Sequence, residues 1–408
     1  MRRDSKFAGL AGIRQLSRRL TEILRLNSAI PFYRPHLGTN GAIIDLGEGP
    51  IINYSGYNYL GLSGHPEVSS AAKAAIDRYG TSAGASRIVG GEIPLHRELE
   101  RELAEFVGAE DCLAFVSGYN TNVTTIGHLY GRRDLLLHDA QAHNSLIKGC
   151  LQSHARHAHF AHNDIAALDR KLALHRAAYK RVLVIVEGAY SMAGDAPDLV
   201  QLADVCLRHR ADLLVDEAHS IGTLGATGRG LVEHQGLKVN PIDVQTGTLS
   251  KALASCGGFV AGDATLIEYL RYSAPGFIFS VGLPPADTAA ALAALRILRR
   301  EPGRVLQLQA RAAEFRKAAF AAGLEVSLND PTPIVPVRIG DQHRCMRISM
   351  QLLGEGINVQ PVVYPAVAAN EAMLRFFLTA EHTSAQIRFT IEWLARAVGD
   401  ADRAAAGE

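Results

Sequence analysis

The stretch ADLLVDEAHSIG, residues 211–222, sets an apolar run directly against a carboxylate, Asp216, and an imidazole, His219, three positions later. A short apolar run bounded by polar residues reads as a buried strand. A carboxylate at the end of such a strand needs a partner, because an unpaired charge loses its hydration on burial. The same texture recurs in DCLAFVSG (111–118), RVLVIVEGAY (181–190), DVQTGTLSK (243–251) and GGFVAGD (257–263). Between these runs lie amphipathic segments such as PLHRELERELAEFVG (94–108), with Pro94 near its start, Leu95, Leu99, Leu103 and Phe106 on one face, and Gly108 at its stop. Apolar runs alternating with helices predict an α/β core built on a largely parallel sheet. In such sheets ligands sit at the carboxyl ends of the strands. SGYN, EGAYSMAGD, DEAHSIG and TLSK would therefore line one crevice.

The composition narrows the chemistry. The 408 residues carry 42 basic against 41 acidic side chains, so no overall field recruits nucleic acid, and small-molecule chemistry becomes the expectation. The five cysteines, Cys112, Cys150, Cys206, Cys256 and Cys345, are odd in number and form no CxxC pair. That argues against a disulfide framework or structural zinc and for a reducing, cytoplasmic setting. No apolar run of about 18 residues is present, so no membrane span is expected.

The organisation reads as an N-terminal arm (1–55), a large domain (56–285), a smaller α+β C-terminal domain (286–400) and a frayed tail (401–408). The arm opens with MRRDSKFAGLAGIRQLSRRLTEIL, whose Leu10, Ile13, Leu16, Leu20, Ile23 and Leu24 fall near one helical face. Docking on the body or on a partner subunit is expected for it. Its Arg14, Arg18, Arg19 and Arg25 suit either an acidic carrier and coenzyme phosphates or a solvated helix face.

Within the crevice, Lys251 stands in TLSKALASCGG (248–258) among small residues that cannot shelter its stem. It is either a solvated turn lysine or an amine aimed into a pocket. Asp216 suits a protonated ring nitrogen or a salt bridge to an arginine. DEAH also names a helicase box, but that activity needs a GxxxxGK[ST] loop, and the chain has no Gly-Lys dipeptide. Gly118 ends a strand, and a helix opening at Asn120 or Thr121 would offer free N–H groups to a phosphate, with the hydroxyls of Thr248 and Ser250 beside it. His143 either caps a helix beginning near Asn144 or stacks on a cofactor. The group His154, His157, His159 and His162 matches no metal-ligand spacing, and no metal is expected. One ligand needs a lysine, an acid for a ring nitrogen and a phosphate pocket together: pyridoxal phosphate.

These motifs resemble the α-oxoamine synthases, fold type I pyridoxal-phosphate acyltransferases. The likeness runs from about Ile52 to Ile387 through NYSGYNYLGLSGHP, YGTSAGASRIVGG, DAQAHNS, FAHNDIAALD, EGAYSMAGD, DEAHSIGTLGATGRG, GTLSKALASCGG and LRFFLTAEHT, in family order. It implies that Lys251 bonds the cofactor, Asp216 faces the pyridinium nitrogen, His219 donates to the phenolic oxygen and His143 stacks over the ring. It places Gly118, Tyr119, Thr248 and Ser250 at the phosphate, and Glu187 and Ser191 near the cofactor. Asn53 and Arg375 fall to the amino-acid substrate, while Phe279 and Ser280 match a stretch through which the partner subunit of a homodimer reaches the phosphate. The chain has SAGASR where the family is richer in glycine, a varied lead-in to Arg375, and YNYLGL, which leans toward the serine-palmitoyltransferase branch. The implied reaction joins a small amino acid to an acyl thioester, on coenzyme A or a carrier protein, with loss of carbon dioxide. The rivals are an aminotransferase or lyase of the same fold, and an inactive partner subunit.

Overall fold

The computed structural model describes residues 5–25, 31–368 and 370–406. Among them thirteen strands form three sheets. In chain order they are β1 (Ile43–Asp45), β2 (Pro50–Asn53), β3 (Asp111–Phe115), β4 (Leu135–Asp139), β5 (Arg156–Phe160), β6 (Val182–Glu187) and β7 (Asp212–Asp216). Then follow β8 (Val244–Thr248), β9 (Gly258–Gly262), β10 (Ile334–Gly340), β11 (Ile357–Asn358), β12 (Pro361–Val362) and β13 (Ala372–Phe377).

The main sheet has the order β3-β9-β8-β7-β6-β4-β5, with β9 alone antiparallel to its neighbours. This is the mostly parallel sheet that the alternating apolar runs predict. Its strands are apolar on both faces because helices cover both. Successive residues of β6 show this directly: Leu183 and Ile185 pack into one apolar cluster with Ile126 and Leu146, while Val182 and Val184 join the opposite cluster with Leu168 and Leu202. The helix Pro94–Val107 starts on its proline and stops where predicted. Gly108 adopts φ 73°, and its N–H reaches the Ala104 carbonyl at 2.9 Å.

The domain limits differ from those read in the sequence. Residues 43–53 are no arm: β2 pairs with β1 on one side and in parallel with β11 on the other, which ties them to the C-terminal part. The helix Pro285–Arg300 packs on the helices Pro66–Tyr79 and Pro94–Val107. The final helix, Ser384–Ala406, runs on through most of the expected tail. Near the N-terminus a helix spans Ala11–Arg25, and Phe7, Leu10 and Leu16 stay exposed on it or beside it. Arg14 and Arg18 are exposed too, while the side chains of Arg19 and Arg25 lie outside the described ones.

One close approach sets the geometry of the site. A Cβ on Gly258, the first residue of β9, would fall 2.4 Å from the Gly118 Cα and 2.7 Å from its nitrogen. No side chain fits between this strand and the start of the helix Gly118–Leu129. Gly258→Ala is expected to push that helix off β9, with a loss of about 1–3 kcal/mol typical of overpacking. A thermal melt showing a midpoint lowered by several degrees supports this, and an unchanged midpoint refutes it.

Candidate active site

The carboxyl ends of the parallel strands meet in a cavity of about 430 Å³. Register puts Glu187, at the end of β6, beside Asp216, at the end of β7. Past β8 come Thr248, Ser250 and Lys251; past β3 come Gly118 and Tyr119; past β4 comes His143; and Arg375 enters from β13. His219 and Ser191 complete the set, so eleven residues singled out in the sequence line this one cavity.

His143 caps the helix Asn144–Gln152, as its position suggests, with its side chain accepting from the Ser145 N–H. Its own backbone N–H donates to Glu187 Oε1 at 2.6 Å. The helix after β3 opens two residues earlier than expected, at Gly118, with Ser117 as its N-cap. Its first N–H groups therefore face the cavity floor beside Thr248. The Thr248 and Ser250 hydroxyls both turn to the Gly257 carbonyl, at 3.0 and 3.3 Å.

Burial governs the charges. Lys251 is lowered by desolvation, against the attraction of Asp216 and Glu187, and lowered again by Arg375. Burial and then the Asp216 charge push the Glu187 carboxyl well above its ordinary range. His219 is held neutral by burial and by the cations Lys251 and Arg375. His143 is lowered as well, chiefly by desolvation. Asp216 receives the Asn122 amide at 2.7 Å and the Ala218 N–H at 3.0 Å.

Two expected residues fall elsewhere. Asn53 is buried and saturated: its amide donates to Asn40 and the Gly41 carbonyl, and its oxygen accepts from Ser55 and Asn358. Those four bonds close the junction of β2 and β11, and Asn53 does not line the cavity. Ser280 lies outside the cavity of its own chain and donates to the Gly276 carbonyl at 2.7 Å. The structure also adds residues that sequence reasoning missed. Asn122 bridges Asp216 and Ser145, Tyr59 reaches His219 Nδ1 at 2.8 Å, and the Tyr57 ring lies 5.8 Å from Lys251 Nζ. Tyr57 and Tyr59 stand in YNYLGL and had only the motif to signal them.

Residues 49–394 match the sequence model of the class I and II aminotransferases. The chain is 42% identical over 344 residues to a putative 8-amino-7-oxononanoate synthase of Desulforudis audaxviator (strain MP104C), covering 84% of this chain and 88% of that one. It is 41% identical over 345 residues to the 8-amino-7-oxononanoate synthase of Pseudomonas putida (strain GB-1), covering 85% and 87%. The chain belongs to the α-oxoamine synthases. Among solved structures, a serine palmitoyltransferase variant of S. paucimobilis with a bound pyridoxal-phosphate–myriocin adduct superposes with a TM-score of 0.90 at 30% identity, covering 98% of this chain and 99% of that one. Serine palmitoyltransferase of Sphingomonas wittichii gives 0.92 at 28%, covering 97% and 99%. The fold is that of the type I pyridoxal-phosphate transferases, and the α-oxoamine synthases are pyridoxal-phosphate-dependent acyltransferases.

The synthase's own residues fit that cofactor. A buried amine of lowered basicity, a carboxylate with two N–H donors at the base of the cavity, and an open helix N-terminus against a glycine are the three features it requires. In cofactor-free protein the Lys251 amine should titrate below an ordinary lysine. Asp216→Asn should lower it further, because the lost carboxylate was raising it. Competitive acetylation across pH, read at Lys251 by mass spectrometry, measures both midpoints. An ordinary lysine midpoint, or an upward shift in Asp216→Asn, contradicts this electrostatic picture.

Proposed function

We propose that this synthase condenses a small amino acid, namely serine, alanine or glycine, with an acyl thioester. The products are an α-amino ketone, carbon dioxide and the free thiol. The observation that carries the reading is the convergence of Lys251, Asp216 and Arg375 on one cavity, which adjoins a second of about 990 Å³. The two share His143, Ser191 and Met192, and the larger is lined by apolar side chains such as Ile147, Val326, Val367 and Met373. An acyl chain suits that lining.

Pyridoxal phosphate, when bound, supplies an aldehyde that captures an amine and a ring that draws electrons from the captured carbon. Lys251 would hold it covalently, Asp216 would face its ring nitrogen, His143 its face, and the N-terminus of the helix Gly118–Leu129 its phosphate. His219, neutral and accepting the Tyr59 hydroxyl at Nδ1, would present Nε2–H to the ring oxygen. Lys251 would be the base for the Cα proton, and burial lowers its basicity toward that task. Arg375 would bind the amino-acid carboxylate. Its guanidinium lies over the Phe377 ring, 4.8 Å from the centroid. The acyl donor is a coenzyme A or carrier-protein thioester. Family likeness supports both branches of substrate: identity reaches 42% to a putative 8-amino-7-oxononanoate synthase, and the fold superposes on serine palmitoyltransferase with a TM-score of 0.90.

The purified protein, assayed with each amino acid against a panel of acyl-coenzyme A and acyl-carrier thioesters, should release one carbon dioxide per free thiol. Lys251→Ala should abolish both. A keto acid without carbon dioxide would instead mark an aminotransferase, and no thiol release with any donor would remove the condensation.

The functional form is read as a cytoplasmic homodimer. No helix among the described residues is long and apolar enough to cross a membrane. Exposed Val89, Phe279 and Val281 cluster where residue 86 bridges to residue 281, near the Ser280 assigned to the partner's phosphate site. Exposed Phe7 and Leu10 before the N-terminal helix, and Leu16 on it, suit the same partner. Light scattering should give a dimer at assay concentration, and an active monomer overturns this assignment.

A further inference from the structure

His162, in the FAHND segment after β5, has no part in the chemistry above. Its Nδ1 meets Asp139 Oδ1 at 2.8 Å and its Nε2 meets Asp195 Oδ2 at 3.0 Å. Asn163 doubles the bridge: its N–H reaches Asp139 Oδ2 at 2.9 Å and its amide reaches Asp195 Oδ2 at 2.7 Å. The His162 ring stands edge-on to Tyr190, 4.6 Å between centroids. Burial works against a charge on His162, but the hydrogen bonds and charges of Asp139 and Asp195 outweigh it and raise the imidazole to about 9. The bridge is therefore an imidazolium between two carboxylates at neutral pH.

The two carboxylates belong to the two loops that shape the cavity. Asp139 opens the turn that ends at His143, and Asp195 closes the turn that carries Ser191 and Met192. That second turn is held on itself by Tyr190 N–H to the Asp195 carbonyl and Gly194 N–H to the Tyr190 carbonyl, both at 2.9 Å. It also reaches the smaller domain, where the Thr332 hydroxyl donates to the Gly194 carbonyl at 2.6 Å. Finally, Arg375 Nη1 donates to the Ser191 carbonyl at 2.8 Å, while Arg375 Nε is buried without a hydrogen-bond partner. The direction of the guanidinium thus depends on where this turn sits.

We propose that His162 is a positioning residue for the amino-acid substrate: by bridging Asp139 and Asp195 it fixes the turn of residues 188–195 and, through the Ser191 carbonyl, the direction in which Arg375 presents its guanidinium. The inference rests on the reading of Arg375 as the carboxylate-binding group. A bridge that only stabilised the fold would lower the melting point and leave substrate affinities untouched. A positioning bridge acts on one substrate and not the other.

The test uses the cofactor-loaded enzyme and reads amino-acid affinity by calorimetry, KM for each substrate, cofactor content by absorbance and the melting point. His162→Gln, which keeps a donor and loses the charge, should weaken amino-acid binding about tenfold, with the acyl-thioester KM and cofactor content within twofold of wild type. Asp195→Asn, at the more exposed end of the bridge, is the milder variant and should give a loss of the same kind. The double variant should lose no more than the worse single one, since both remove one interaction. Arg375→Lys is run beside them. If it weakens amino-acid binding while His162→Gln leaves it within twofold, the bridge fails and the carboxylate reading stands. If Arg375→Lys changes nothing, both fall. Losses that add in full in the double variant also overturn the proposal.

The pH dependence gives a second readout. The groups facing the bridge are Asp139, Asp195 and Tyr190, with Glu187 acting near Asp139, and Asp330 and its neighbour Arg316 near Asp195. A histidine raised by its partners holds its contribution below its folded pKa and loses it as pH rises through that value. Amino-acid affinity should accordingly fall above about pH 9 in the wild type. In Asp195→Asn the fall should begin at lower pH, because one carboxylate no longer holds the proton. Superimposable profiles overturn the proposal.

Discussion

The site rests on two carboxyl groups forced side by side. Parallel register places Glu187 and Asp216 at the same level on β6 and β7, both buried, and two neighbouring carboxylates in low dielectric cannot both keep full charge without compensation. The chain resolves the conflict asymmetrically. Glu187 is driven toward its neutral form and is committed to the backbone N–H of His143. Asp216 is given two N–H donors, from Asn122 and Ala218. Asp216 thereby has hydrogen-bond donors on both of its oxygens. Lys251 stays within its field, and burial, with the nearby Lys251 and Arg375, lowers His219. One charge placement at the end of one strand thus acts on three neighbours, raising Glu187 and opposing the burial that lowers Lys251 and His143.

Much of this was legible because strand chemistry is local. Apolar runs ending in Asp216, Glu187 or Thr248 announce both the sheet and the edge at which ligands bind, and each such residue lines the cavity. Helix ends were legible where the cap is a strong local signal, as at Gly108 and His143, and two residues off at Gly118, where a serine one position earlier won the cap. Long-range pairing was hidden. Nothing in PIIN shows that β2 will lie beside β11, some 300 positions later, where Asn53 bonds Asn358. Asn122 was equally silent, since an asparagine in a helix names no partner until the fold brings Asp216 to it.

The loop after β6 shows how a local motif acquires a global role. Its sequence reads as a segment lining the crevice, and two of its carbonyls accept from the smaller domain: Gly194 from Thr332 and Ser191 from Arg375. A Cβ on Gly194 would come 2.5 Å from the Ile334 carbonyl, so the glycine, at φ 75°, is required both for the turn and for the approach of β10. The smaller domain is therefore not merely packed on the larger one. It is hydrogen-bonded to the loop that frames the reacting centre, so that a shift of either domain would be felt at Arg375.

A fold shared with aminotransferases leaves the chemistry to be decided by what surrounds the common lysine and aspartate. An aminotransferase passes the amino group on and needs one small pocket used by two substrates in turn. A condensing enzyme must hold two substrates together, one of them large, and keep water from the carbon that attacks. The cavity around Lys251 adjoins, past His143, Ser191 and Met192, a space more than twice its volume, lined by aliphatic, methionine and proline side chains together with Glu325, Arg338 and Glu371. Apolar walls exclude water and gain from burying an alkyl chain, so the binding of the second substrate would itself dry the site at the moment the carbon becomes nucleophilic. On the proposed reading, the residues common to the fold make the carbon reactive, and the adjoining space would receive the acyl group it reacts with.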